Sequence, residues 1–295
     1  MLFALAPAAL AAVTMLQQID STVPVERGQR LEVDLYAGDV DVKTWPKNAI
    51  RVVADPDGRG RVEIERSATS VSVRTTGRRG PPPSTDVQIT VPTWMALDIS
   101  GVYTDITITG ARGSITAETV QGDVSADGGE GLVSVKSVQG SVSVTGAKGR
   151  IEANSVNADV EVRRSTGEIS TETVNGSIQL EGTDATTLTA TSVNGDLGYD
   201  GPLHAGGRYA LSTHNGDITV VVTEKASAAV SVSTFNGEFE SDFPVTLTDT
   251  RKGKRFNFTI GSGSAQVTLE SFQGTISLVR PGSQHHRDHD DEDEH

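Results

Sequence analysis

"ETVQGDVSA" at residues 118–126 returns as "KSVQGSVSV" at 136–144, "NSVNADVEV" at 154–162 and "ETVNGSIQL" at 172–180. Aligned on its glycine, the phrase marks Thr104, Gly122, Gly140, Ala158, Gly176, Gly195, Gly216, Gly237 and Gly274. The intervals are 18, 18, 18, 18, 19, 21, 21 and 37, the last close to two periods. From the second copy onward the residue before that position is a carboxamide: Gln121, Gln139, Asn157, Asn175, Asn194, Asn215, Asn236 and Gln273. Three positions before the glycine stands a hydroxyl, in Thr119, Ser137, Ser155, Thr173, Ser192, Thr213, Thr234 and Ser271. Between these columns apolar residues alternate as in strands, for example Ile115 and Ala117, then Val120, then Val124 and Ala126 after the turn.

A fixed period of this length marks a repeat architecture. Eighteen extended residues give a perimeter of roughly 60 Å, and coils stacked at about 4.8 Å let each strand pair with its equivalent in the next coil. The pattern predicts an all-β chain folded as a single-stranded parallel β-solenoid, or β-helix. In that fold the carboxamides form an amide ladder along the axis, as in cross-β stacks, and glycine supplies a corner of unusual backbone conformation. The following position holds Asp105, Asp123, Asp159, Asp196 and Asp217, interrupted by Ser141 and Ser177. These aspartates are expected to cap the turn by accepting bonds from nearby backbone amides. A calcium-binding β-roll would need G-G-x-G-x-D in each half coil, whereas here glycine and aspartate are adjacent and occur once per coil.

Composition agrees with a regular β protein: of 295 residues, 36% are hydrophobic but only 4% aromatic. A formal net charge of -14, with no basic stripe interleaved with aromatics, excludes nucleic acid as the expected partner. The absence of cysteine rules out disulfides, thiolate metal sites and a lipid-modified cysteine. Residues 1–19 open on "MLFALAPAALAAVTML", an apolar run shorter than the roughly 20 residues that span a bilayer. With Ala9-Leu10-Ala11 as a small-x-small cleavage site it reads as a signal peptide, although no Lys or Arg precedes it. A periplasmic, secreted or cell-surface location is expected.

The domain plan continues with an irregular N-terminal β region and first coils at 20–100, solenoid repeats at 101–280, and a disordered acidic tail at 281–295. Residues 31–100 carry strands without the 18-residue register, although "YAGD" at 36–39 looks like an early copy of the corner. "FPVTLTDTRKGKRFNFTI" at 243–260 interrupts the period with a hairpin around Lys252-Gly253-Lys254. That hairpin clusters Arg251, Lys252, Lys254 and Arg255, read as a solvated turn protecting the edge, with an anion or partner site as the alternative. The tail holds His285, His286, His289 and His295 among acidic residues, a set able to bind divalent Zn, Ni or Cu weakly. No cofactor is implied.

Two stretches carry a family resemblance: "ITVPTWMALDISGVYTDITITGARGSITAETVQGDVSADG" at 89–128 and "FTIGSGSAQVTLESFQGTISLV" at 258–279. Over about residues 30 to 280 the chain resembles the bacterial putative adhesin domains, extracytoplasmic β-solenoids with repeated G-D-I/V turns. The resemblance implies the same fold and an adhesin-like role, and it supplies no catalytic residues. The chain departs from the pattern in the disrupted coil at 239–260 and in the His-rich tail.

A solenoid can host an enzyme, so catalysis must be judged on residues. Polysaccharide cleavage needs a paired acid and base, or a carboxylate-held cation beside a basic group. The candidates are the aspartate file, His204, His214 and Arg208. His214 stands in the corner column otherwise filled by Val120, Val138, Val156, Val174, Val193, Phe235 and Phe272, and is read as a packed corner residue. His204 lies in "DGPLHAGGRYA" at 200–210, an insertion that stretches one interval to 21. The expected function is non-catalytic: an envelope-binding or adhesin-like module acting through its extended repeat surface on an envelope protein or polymer. The alternatives are a polysaccharide-processing β-helix enzyme and a passive envelope scaffold.

Overall fold

The computed structural model describes residues 19–56, 61–77, 80–223, 225–244 and 254–282. The expected signal peptide, the tip of the 243–260 hairpin and the His-rich tail lie outside these residues. Among the described residues there is no helix, and 24 strands join in one hydrogen-bonded system, mostly parallel.

The repeating unit is a coil of two strands. Ile115–Gln121 runs into a corner and continues as Val124–Gly128; Glu130–Gln139 and Val142–Thr145 form the next coil. Period-2 alternation sends Val133, Val135, Val142 and Val144 inward, all at most 1% exposed. Each stacks on its equivalents 18 residues away: Val142 is level with Val124 on one side and Val160 on the other. The interior is therefore built from rows of Val, Ile, Leu and Ala, which suit a pleated surface because β-branched side chains lose little freedom there.

A second corner lies one strand further on. Gly110, Gly128, Gly146 and Gly182 take left-handed φ angles of 76, 98, 67 and 58°. Arg164 occupies the same place in its own coil with φ 47°, the only positive φ outside glycine among the described residues. This second column keeps the 18-residue spacing in the sequence.

The order of coils in space is not their order in the chain. Arg30–Trp45 stacks on Ala96–Ala111 in strict register, from Arg30 opposite Ala96 to Lys43 opposite Thr109, so "YAGD" is a true copy of the corner. The strand thus stacks as a coil, while its offset of 66 residues from Ala96–Ala111 is no multiple of 18, which is why the sequence shows no 18-residue register there. On its other side Arg30–Trp45 pairs with Ser70–Thr76 and Thr85–Pro92, which come later in the chain but lie further out. The same inversion occurs at the far end. Arg208–Asn215 pairs with the final coil at Ala265–Gln273, which in turn pairs with the earlier Ala228–Asn236. The 37-residue interval is thus an excursion to the outer edge and back, rather than two stacked periods.

Antiparallel strands close both ends. Ile19–Pro24 and Thr85–Pro92 flank Ala49–Pro56, and Arg61–Arg66 covers Ser70–Thr76. Lys254–Ile260 covers Ala228–Asn236 at the opposite end. Such caps hide the open ladder that would otherwise template a further chain.

Where the repeat lengthens, two large side chains fill the wider interior. Tyr199 and Tyr209 are buried with ring centroids 5.6 Å apart. Tyr199 Oη donates to Pro202 O at 2.9 Å, and Tyr209 Oη to Ala185 O at 2.8 Å, while Tyr209 Oη accepts from His204 N at 2.8 Å. Burial pushes both phenols above their ordinary range, so they stay protonated.

Candidate binding surface

At the corner five successive columns run along the solenoid axis, each with its own chemistry. The innermost is the hydroxyl column. Ser137 Oγ donates to Gly122 O at 2.8 Å, Ser155 Oγ to Gly140 O at 2.9 Å, and Thr173 Oγ1 to Ala158 O at 3.0 Å. Ser192, Thr213 and Ser271 repeat the contact to Gly176, Gly195 and Gly216, each at 3.0 Å. All are buried, so each bond satisfies a polar pair withdrawn from water. Thr234, at the same position in the outermost coil, has no hydrogen-bond partner among the described residues.

The carboxamides form a shorter ladder on the outside. Nδ2 of Asn175, Asn194 and Asn215 donates to Oδ1 of Asn157, Asn175 and Asn194 at 3.0, 3.0 and 2.8 Å. Asn157 Nδ2 reaches Val138 O instead, at 3.4 Å. Gln121, Gln139, Asn236 and Gln273 stand at the same corner outside this ladder, which among the described residues links only Asn157, Asn175, Asn194 and Asn215. These side chains face solvent, where water competes for each amide. Asn175→Leu should therefore lower stability by about 1 kcal/mol or less. A urea midpoint shift worth 3 kcal/mol or more would show a ladder closed to water.

Close approach governs the glycine column more than backbone conformation does. Gly122 and Gly274 have φ of 140 and 141°, but Gly140 and Gly176 do not take positive φ at all. A Cβ on Gly140 would lie 1.9 Å from the carbonyl oxygen of Gly122. Where Ala158 stands in this column, the strand before the corner stops at Asn154 rather than reaching the carboxamide.

The aspartates after the glycine each accept from the backbone of the neighbouring coil. Asp105 Oδ1 accepts from Asp123 N at 2.8 Å, Asp123 from Ser141 N at 2.7 Å, and Asp159 from Ser177 N at 2.7 Å. Asp196 and Asp217 accept from Asp217 N at 2.9 Å and Thr275 N at 2.7 Å. The N-terminal end of the file bunches three acids. Burial, then the charges of Asp86 and Asp105, raise the Asp39 carboxyl above its usual range. A folded-state pKa above the unfolded one means that ionising Asp39 disfavours the fold, so stability drops as pH rises through the interval just above about 3.9. Asp39→Asn should stabilise the chain at pH 7 and have no effect below that interval. Urea midpoints at pH 3 and pH 7 check this; equal shifts at both would assign the effect to something other than charge.

The fifth column is apolar and faces outward. In stacking order it runs Tyr36, Val102, Val120, Val138, Val156, Val174, Val193, His214, Phe272 and Phe235. Exposure in this column reaches 48% at Val120 and 55% at Phe235, so it is a surface ridge and not the packed corner expected for His214 and its neighbours. His214 stacks on Phe272 at 4.6 Å, and Phe272 on Phe235 at 4.9 Å, with planes within 10°. Phe272 is thereby covered on both faces, by His214 and by Phe235.

The other expected candidates take up structural positions. His204 Nε2 contacts Asp184 Oδ1, and its backbone amide is held by Tyr209, so the inserted loop is tied to the coil beneath. Arg208 sits exposed at the start of its strand, on the flat face and away from the ridge. Arg255 lies on the edge strand Lys254–Ile260, whereas Arg251, Lys252 and the tail histidines His285, His286, His289 and His295 fall outside the described residues. Among the described residues no three His, Asp or Glu side chains gather to hold a metal. On the face of the short strands a groove of about 700 Å³ opens above Gly198, lined by Glu181, Asp196, Asp200, Asp217 and Glu240.

A family model described as Toastrack DUF4097 matches residues 17–279. No curated protein matches the chain. Among solved structures, a putative lipid binding protein from Parabacteroides distasonis aligns over 89% of this chain and 96% of its own, at 9% identity and a TM-score of 0.46. A putative adhesin from Bacteroides fragilis aligns over 89% and 97%, at 12% identity and a TM-score of 0.43. A putative cell adhesion protein from Clostridium sporogenes aligns over 90% and 100%, at 10% identity and a TM-score of 0.24. With TM-scores under 0.5, these likenesses carry no part of the functional reading.

Proposed function

Since the chain belongs to the Toastrack DUF4097 family, we propose that it is a non-catalytic binding module of the cell envelope, adhesin-like, that holds an envelope protein or polymer along its repeat surface. The observation that carries this reading is the long face of in-register polar rows. Thr116, Glu152, Ser170 and Thr189 form one row, with Ser134 buried within it; Glu118, Lys136, Asn154, Glu172 and Thr191 form the next. Rows of this kind offer an extended, rigid platform on which recognition is spread over many side chains. The N-terminal apolar segment supports an extracytoplasmic place for this activity.

A thermal-shift titration of the full chain separates a binder from a passive scaffold. Envelope polysaccharides, a polylysine peptide, lipid vesicles and divalent metals serve as probes. A binder gains stability once the probe exceeds its dissociation constant. The expected result is a saturable rise with one class of probe. Flat melting across all of them would leave the scaffold reading.

A further inference from the structure

The exposed large apolar side chains among the described residues are Tyr103, Val120, Leu132, Val138, Val156, Val174, Val193, Phe235 and Phe272. All but Tyr103 and Leu132 belong to the corner ridge, and Tyr103 packs edge-on against Tyr36 at the ridge's end, with ring centroids 5.6 Å apart. The ridge and the carboxamide column beside it contain no Lys, Arg, Asp or Glu, on a chain of net charge -14. Apolar content with charge depletion in one continuous strip is the signature of an interface core.

We infer that the ridge packs against the same ridge of a second copy of this chain. Continuity and charge carry the argument. The valines repeat at the inter-strand distance of about 4.8 Å, so neighbours touch and the ridge is a continuous apolar rib. A second copy brings a rib of the same length and repeat, and the two pack rib against rib. On an acidic chain this uncharged strip is where a second copy of the same charge can approach. The contact is isologous and closes on itself.

Size and charge agree with that partner. Nine steps between the ten stacked residues give a ridge about 43 Å long. With the flanking columns, roughly 15 Å wide, each copy presents about 650 Å², close to the roughly 800 Å² of a standard specific interface. The column two residues before the ridge carries Asp34, Glu118, Lys136, Glu172 and Glu270 among neutral residues. With the copies antiparallel this column meets itself in reverse, placing Lys136 opposite Thr191 and Glu172 opposite Asn154. With the copies parallel it faces carboxamides. Within this column neither setting opposes like charges. This association does not depend on the polar faces holding a partner.

Sedimentation equilibrium of the full chain at about 0.15 M salt, where surface charges are screened beyond about 8 Å, tests the inference. The wild-type chain is expected at twice its 31.0 kDa mass at tens of micromolar. The doubly substituted chain Val156→Asp/Val174→Asp should be monomeric, with a dissociation constant raised at least 100-fold and, at protein concentrations where the wild type is also monomeric, an unchanged urea midpoint. Because the chain has no cysteine, Val156→Cys provides a second reading that does not rely on the charged variant folding. It should cross-link to a dimer on oxidation, while Ser143→Cys, on the far side of the corner, should not. A monomeric wild type overturns the inference. So does a dimer that survives the aspartates, or a monomer that floats with phosphatidylcholine vesicles, which would give the ridge to a lipid surface.

Discussion

One alanine inserted between Val142 and Ser143 should remove several kcal/mol of stability, comparable with the whole 5–15 kcal/mol of an ordinary domain. The strand Val142–Thr145 is paired on both sides, with Val124–Gly128 and Val160–Arg163. Because side chains alternate with period 2, an extra residue turns Val144 outward and Ser143 inward and shifts every later pairing in the coil. Expelling one fully buried valine alone costs about 1.5–3 kcal/mol. The inward serine adds a buried hydroxyl without its partner. The same alanine placed between Pro82 and Pro83, in a loop outside the ladder, is the control. Urea unfolding followed by circular dichroism reads both variants. Similar midpoints for the two insertions would mean that the coil absorbs the residue as a bulge and that register is not what holds it.

Gly140→Ala is expected to cost about 3 kcal/mol or more, in the range of overpacked cores. The reason is contact. The new methyl would stand 1.9 Å from Gly122 O and 2.4 Å from Gly122 C, both backbone atoms of the adjacent coil that cannot rotate away. Gly131→Ala separates this from conformational strain. Gly131 has φ 88° with nothing within 4 Å of a Cβ, so its substitution should cost only the roughly 1–2 kcal/mol of a left-handed residue with a side chain. If thermal or urea melts rank Gly131→Ala as the worse of the two, close stacking is not what reserves the column for glycine.

The period, the corner and the parallel pairing were legible in the sequence because each is a local pattern repeated at fixed spacing. The hydroxyl column was legible too, although only its bonds to the glycine carbonyls explain its uniformity. Stacking order was not. The coils at 208–221, 228–241 and 265–279 carry the same phrase, so nothing in their local residues says which lies beside which. The outward ridge could have been read. Ile115, Ala117 and Thr119 share the inward face, which leaves Val120 pointing out. Apolar character suggested packing, and alternation, the stronger signal, contradicted it. The second glycine column was equally available at 110, 128, 146 and 182. The amide ladder was expected at eight positions, and amide-to-amide bonds link Asn157, Asn175, Asn194 and Asn215, because a ladder exposed to water gains little from closing at every step.

The inverted order of the end coils bears on how the chain assembles. A stack of repeats can nucleate anywhere and grow one coil at a time onto an open edge. Here Arg30–Trp45 and Ala265–Gln273 each lie between two other coils, so neither can be the last layer laid on an edge. Each must be in place before the outer coil closes over it, or enter a slot held open for it. Loop closure then precedes the contacts that reward it, which slows folding. In the finished molecule the same arrangement works in reverse. Pulling on the C-terminal end meets strands bonded along both sides, and pulling on the N-terminal end frees only the cap strand Ile19–Pro24 before it meets the doubly bonded Arg30–Trp45, so the solenoid does not unwind one coil at a time from its termini.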